Sequence, residues 1–496
     1  MLKSFTLRSI TPCIIAAGLL CVIPAALDVG VVYGQLAGGG GSGTGGTGGT
    51  GGTGGTGGTG GTGGTGGQTG TNAGGIFVDA QGIVTALSQP DQGGRLDKKR
   101  RQELASRALP ADLNQFAALR KVSLVALEAA CEDYAREKKH VPADMQFLAG
   151  LQRIEYVFVY PAEKDLVIAG PAEGFLVDDA GRALGVSTGR PALRLDDLLV
   201  ALRGMARSRG PIRCSIDPVQ GNLAKLGAFL ASGNSEPTLE AAQAQFEQLG
   251  QVLGLQDVSV SGVPTESHFA ELLVEADIRM KRLAIGLDTL RVKGFHSHLA
   301  MVGPGANSMQ RWWFTPLYDS FTRTADGLGF QFRGQRVQLL SQEELVSESG
   351  RRLNAPFTRV STQKFARQFT EKYPAIAEAS PAFAELQSLF DLAVLAALIR
   401  QERLAAKIGW SMPLFLDEDR AATAARSVPK KTPSMSNFKV VGNRTFIAQV
   451  AGGVVIDPLQ IVRPADFEND STGKVRGVQD QSRAHDSRDE HRWWWD

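Results

Sequence analysis

The sequence predicts an α+β protein, with antiparallel β-hairpins and small sheets packed against amphipathic helices, in two or three subdomains preceded by a glycine-rich linker. Three observations carry that expectation. Helical apolar spacing and short β runs alternate in blocks, without the strict rhythm of a doubly wound parallel sheet. Aspartate recurs where β runs turn back, at Asp79, Asp178 and Asp457, with Gly82 and Gly181 closing the first two turns. The stretch from Gly75 to Pro464 holds about 390 residues, more than one ordinary core accommodates.

Residues 1–34 read as a signal peptide. Lys3 and Arg8 precede an apolar stretch over 10–26, broken by Pro12 and Pro24, and Val32 and Gly34 suit cleavage after Gly34. An uncleaved anchor is the alternative, although the stretch is short for a membrane span. Residues 35–74 form the expected linker, with threonine at every third position from Thr44 to Thr65 between pairs of glycines. Without imino acids this is no collagen, and as a flexible coil it would average roughly 30 to 35 Å end to end. The expected location is therefore the periplasm, the cell envelope or the extracellular space. After cleavage no transmembrane span is expected, because the most apolar later window, 386–399, is interrupted by Gln387, Ser388 and Asp391. Net charge is +2, which gives no electrostatic case for a nucleic-acid partner. Cys13 and Cys21 leave with the signal, and Cys131 and Cys214 are compatible with one disulfide or with two buried thiols.

An N-terminal subdomain is expected over 75–255 and a C-terminal one over 256–464. Residues 75–84 read as a hairpin, with relatives at 174–181 and 453–458. Helical pieces at 104–109 and 113–119 flank Pro110, and Ser123 is placed to cap a helix over 124–139. Runs 154–160 and 166–169 form an antiparallel pair about Pro161. Helices follow at 195–206, 223–230, 239–253 and 269–283, and strands at 212–216, 258–260, 312–315, 329–332 and 336–340. A long helix over 382–408 starts behind Ser380 with Pro381 at its first position. Residues 465–496 are polar and read as a disordered tail, ended by Trp493, Trp494 and Trp495.

Few residue patterns carry chemistry. His268 and Glu271 at a helix start, with His296 and His298 beyond, are the most metal-like group, but they lack the two histidines flanking a glutamate of a zincin helix. Glu275, Asp277, Arg279 and Lys281 place four charges in two helical turns. Both acid-to-base pairs are four apart, which suits ion pairs on a solvated face. The alternative is a charged cluster lining a cleft, completed by Arg311, Trp312 and Trp313, whose rings would stack on sugar or peptide. Gly185-Val186-Ser187-Thr188-Gly189 spells a nucleophile elbow, yet Pro191 denies it the helix it needs. Ser361 and Lys364 have the spacing of penicillin-recognising enzymes, yet Lys431-Thr432-Pro433 puts proline where that active-site strand needs a donor. No cofactor and no metal is assigned, and no catalytic residue.

Three strings resemble a known family: residues 274–281, Arg311-Trp312-Trp313, and Arg190-Pro191 with the run 195–199. They are similar to secreted planctomycete proteins that carry a domain of unknown function, over roughly 75–464. The resemblance implies export and one shared architecture, and it brings no activity and no catalytic residues. The functional expectation is a non-catalytic binding or scaffolding module of the envelope or extracellular space. A hydrolase acting on envelope polymers is the alternative, resting on Ser361 with Lys364 or on the histidine group.

Overall fold

The computed structural model describes residues 36–37, 72–78, 84–90, 95–207, 210–232, 248, 250–302, 309–347, 349–441, 444–483 and 492–496. The expected signal segment, nearly all of the linker and most of the helix expected at 239–253 lie outside the described residues.

β1 (Leu36–Ala37) lies antiparallel to residues 444–445. β2 (Asn72–Val78) and β3 (Val84–Pro90) form the first hairpin, with Val78 opposite Val84. After α1 (Arg95–Ala108) the expected helix at 113–119 gives way to β4 (Ala117–Ser123). Arg120 is the physical reason. Its guanidinium, fully buried, donates to the carbonyls of Leu113 and Ala149, and with a second nitrogen to Asp112 and Gln115. Those carbonyls are thereby spent on a side chain rather than on a helical ladder, and pairing in the sheet overrides a weak local propensity. Ser123 ends the strand and caps α2 (Leu124–Arg136), accepting from the Ala126 amide at 3.0 Å.

α3 (Ala143–Gln146) leads to β5 (Tyr156–Tyr160) and β6 (Asp165–Ala172), the expected pair, and β7 (Phe175–Val177) and β8 (Ala183–Gly185) make the second hairpin. Next come α4 (Leu195–Ala206), β9 (Ile212–Pro218), α5 (Gln220–Ser232), β10 (Leu255–Ser261), α6 (His268–Ala284) and α7 (His298–Met301). Strands β11 (Met309–Leu317), β12 (Thr322–Arg323), β13 (Gly329–Gln331), β14 (Arg336–Val346) and β15 (Arg352–Asn354) precede helices α8 (Val360–Glu371), α9 (Tyr373–Ala379), α10 (Pro381–Gln401) and α11 (Leu404–Lys407). The expected helix at 382–408 thus divides, at Arg403, whose φ of 52° is left-handed. β16 (Lys431–Pro433), β17 (Ser436–Val441), β18 (Arg444–Ile456), α12 (Pro458–Ile461), β19 (Glu468–Asn469), α13 (Lys474–Gln481) and β20 (Trp494–Trp495) complete the chain.

Among the described residues two larger sheets form. The first runs β15-β14-β11-β18-β9-β10-β16, with β1 and β17 on the outer half of β18, and the second runs β19-β12-β13-β5-β6-β4-β20. In the first, β11 and β18 are parallel and their other partners antiparallel. One face, carrying Cys214, Ile216, Trp312, Phe314 and Val454, meets the helical layer of α6, α8 and α10 in the main core. On the opposite face Leu223 and Leu226 of α5 cover Met309, Val346 and Ala451. Helix α10 is buried on every side over residues 382–399; it is long and apolar enough to cross a membrane, and its apolar stretch lies inside the fold. Cys131 and Cys214 are both buried and free.

β9, from before position 255, pairs with β10 on one side and with β18 on the other. The tail expected at 465–496 is ordered where described. β19 pairs with β12, α13 packs beside β13, and Trp493 and Trp494 are only 4% and 6% exposed. Composition misled because the few large apolar residues of this segment, among them Phe467, Val475, Trp493, Trp494 and Trp495, are the ones that dock.

Candidate functional site

Helix α6 begins at Ser267, whose hydroxyl accepts from the Ala270 amide, and exposes opposite faces to different surroundings. Asp277 and Lys281 point into the sheet. Lys281 Nζ lies 3.0 Å from Asp277 Oδ2 and donates to the Ile216 carbonyl at 2.6 Å, and neither residue is more than 1% exposed. Burial pushes the Asp277 carboxyl up to about 6 despite the Lys281 ammonium beside it. Glu275 and Arg279 pair at 2.8 Å on the other side, where Glu275 also meets Arg182. Both ion pairs expected from the spacing therefore form, one half-solvated and one wholly buried.

The seven residues expected to line a cleft divide among three environments. Trp312 is fully buried, donating its indole N–H to the Thr362 carbonyl and meeting the His298 and Phe365 rings edge to face. Arg311 and Trp313 alternate to the opposite face of β11, where the Arg311 guanidinium lies 5.8 Å from the Trp313 ring and 3.3 Å from Glu344. Asp277, Lys281 and Trp312 are buried, and Glu275 with Arg279 belongs to a charged seam with Arg182 and Glu385.

The histidines also separate. His268 holds Asp197, with Nδ1 2.9 Å from Oδ2. Burial opposes its charged form, yet Asp197 keeps its pKa above the ordinary histidine value. His298 sits under Trp312, and burial, helped by Arg359, drives its pKa down to about 4. The His296 amide donates to Gln368. Among the described residues no group of three or more histidine, cysteine, aspartate or glutamate side chains converges as metal ligands would. Ser361 is half-buried on the first turn of α8 while Lys364 is exposed. The 185–189 turn wraps a carboxylate: the amides of Ser187 and Thr188 donate to Glu173 at 2.8 and 2.9 Å.

A cleft that the sequence does not announce lies between α2, α4 and the 414–424 loop. It encloses about 370 Å³. Leu195, Leu199, Leu414 and Phe415 give it an apolar wall, and Lys139, His140 and Arg420 stand at its rim. Arg194 and Asp196 flank its inner end. Arg194 stacks on Phe147 at 5.1 Å. Asp196 accepts from the Ala424 amide, and burial raises its pKa. The loop is fixed from behind, because Glu128 accepts the Leu414 and Phe415 amides and Arg203 donates to the Phe415 and Ala421 carbonyls. These residues come from three regions of the chain with no local spacing between them, and the run at 195–199 is the one part that sequence singled out.

Residues 214–298, from Cys214 in β9 to His298 at the start of α7, match the family described as Protein of unknown function (DUF1598). The matched stretch holds the buried Asp277–Lys281 pair, and all the residues that line the cleft lie outside it. No curated protein and no solved structure matches the chain.

Proposed function

We propose that this chain is a non-catalytic binding module of the cell envelope or extracellular space, presented on its glycine-threonine stalk, and that the 370 Å³ cleft is its binding site. The cleft carries the reading. Its volume lies in the range of small-molecule sites, its wall is apolar, and Lys139, His140 and Arg420 bias its mouth toward anions. The fitting ligand has an apolar body and one acidic group. Arg420 already pairs with Glu132 and Lys139 with Glu137, so the rim charges reorganise when an anion arrives. Of the metal candidates, His268 is engaged with Asp197 and His298 with the Trp312 ring.

Fluorescence titration with anilinonaphthalene sulfonate, against the uncharged N-phenylnaphthylamine, tests it. Saturable binding of the anion, weakened about tenfold by Lys139→Ala with Arg420→Ala and abolished by Leu199→Trp, is the expected result. Equal binding to wild type and Leu199→Trp would remove the site. Covalent labelling of Ser361 by a serine-reactive probe would replace the binding reading with the hydrolase. Recovery of the protein from the cytosol with Met1 attached would overturn the location.

A further inference from the structure

Residues 351–370 hold Arg351, Arg352, Arg359, Lys364 and Arg367, and no aspartate or glutamate. Two of these cations are spent inside the protein, since Arg352 pairs with Asp217 and Glu344 at 2.6 Å and Arg359 with Glu343 at 3.3 Å. Arg351, Lys364 and Arg367 are exposed. Large apolar side chains stand among them. Leu345 and Leu353, both exposed, lie opposite one another where β14 pairs with β15; Phe357, in the connection to α8, is 64% exposed, and Val360, which opens that helix, 80%. Helical spacing puts Val360, Lys364 and Arg367 on one outward face of α8. The neighbouring loop extends the positive charge, because Lys372 donates to the Lys293 carbonyl at 2.9 Å, and Arg291 and Lys293 are themselves exposed. Helix α8 also starts without a side-chain cap and without an acidic residue in its first turn, so its first amides add positive potential beside Phe357.

We propose that this patch seats the protein on an anionic phospholipid bilayer, with Phe357 and Val360 entering the headgroup boundary and Arg351, Lys364 and Arg367 meeting the lipid phosphates. Charge complementarity selects the partner. Apolar tips ringed by cations suit an anionic interface, because burial of the tips and attraction of the charged heads to the phosphates add together. The long stems of lysine and arginine let those heads stay at the phosphates while the tips go deeper. A protein partner fits the patch less well. Protein interfaces are depleted in lysine, and the strand edge here is closed to strand addition, since β15 is three residues long and Pro356 follows it closely. The patch shares no residue with the 370 Å³ cleft, so either reading can fail without the other.

The test follows backbone hydrogen exchange of the full chain with vesicles of phosphatidylcholine alone and of phosphatidylcholine mixed with phosphatidylglycerol. Exchange over 351–367 is expected to slow at least about threefold on the mixed vesicles and not on the neutral ones, and concentrated salt should remove the protection. Reading this one segment keeps the N-terminal apolar stretch, common to every sample, from imitating the result. Lys364→Glu with Arg367→Glu, and separately Phe357→Ala with Val360→Ala, should each weaken the vesicle-dependent protection about tenfold, whereas Phe357→Trp should keep it. These side chains face outward, so each variant should keep the wild-type denaturant midpoint. Unchanged exchange over 351–367 on the mixed vesicles, equal slowing on the neutral ones, or equal slowing by soluble polyaspartate, which would make the partner an acidic polymer, would each overturn the proposal.

Discussion

The Asp277 carboxylate occupies the space that a side chain at position 452 would need: a Cβ on Gly452 would sit 2.5 Å from Asp277 Oδ1 and 2.8 Å from the Trp312 carbonyl. The buried ion pair and the bare glycine are one device, in which the central strand is stripped so that a charged helix face can lie against it.

Gly452→Ala is expected to destabilise the protein by about 1–3 kcal/mol through overpacking, read from denaturant midpoints. Asp277→Ala leaves Lys281 buried without its counter-ion and should cost about 3–5 kcal/mol, whereas Asp277→Leu together with Lys281→Met should come close to wild type. A double variant as damaged as the single one would show that the charges themselves are required.

Asp391 ties the two sheets to the central helix. Its carboxylate accepts from Arg336 at 2.8 Å, from the Tyr318 hydroxyl at 2.8 Å and from the Ile154 amide at 3.1 Å, and Arg336 returns a bond to the Ile154 carbonyl. Asp391→Ala strands a buried guanidinium and should cost about 3–5 kcal/mol. Asp391→Asn keeps two acceptor geometries and should cost less in the same unfolding measurement.

The two buried histidines give opposite pH signatures. His298 has a folded pKa of about 4, below its unfolded value, so its contribution is present above about 6.5 and is lost as pH falls toward 4, on the order of 3 kcal/mol. Burial, Arg359 and the neighbouring Glu343–Thr362 bond set that environment. His298→Gln should flatten the acid limb of the stability curve. His268 has its folded pKa raised, because Asp197 and Glu385 outweigh burial and Arg194, so its contribution is present below about 6.5 and fades as pH climbs through the raised value. His268→Gln should remove that alkaline fall and leave the acid limb unchanged.

Both thiols should stay silent until the chain unfolds. Burial pushes Cys131 up to about 12 and Cys214 higher still, and neither is bonded. A thiol reagent should therefore titrate no group among these two in the native protein and both in denaturant, and prompt reaction of Cys131 would show that the neighbouring cleft opens.

Local chemistry was legible in the sequence and long-range chemistry was not. Ser123 announces a helix start by capping, and the β-rich runs at 154–160 and 166–169 announce a hairpin by their short turn. The expected strand at 336–340 was right but short, because β14 continues to Val346 against β11. Helices α8 and α9 were missed although Phe365, Phe369, Tyr373 and Ile376 keep a helical spacing toward one core across the break at Lys372. The charged residues of α6 were singled out by spacing, but spacing does not tell a solvated face from a buried one; that depended on Gly452, far along the chain. Cleft residues escaped because Lys139, Arg194 and Arg420 meet only after three segments have packed.

β18 also dictates when the protein can take shape. Its residues 450–456 stand between β9 and β11, which are made more than a hundred positions earlier, so a growing polypeptide has a vacant slot in the middle of its larger sheet until nearly its whole length has left the ribosome. Until then two strand edges lie open to any other chain. Maturation is consequently a late, all-at-once event rather than a progressive one, and a nascent chain halted before position 450 should be held by chaperones or lost to aggregation.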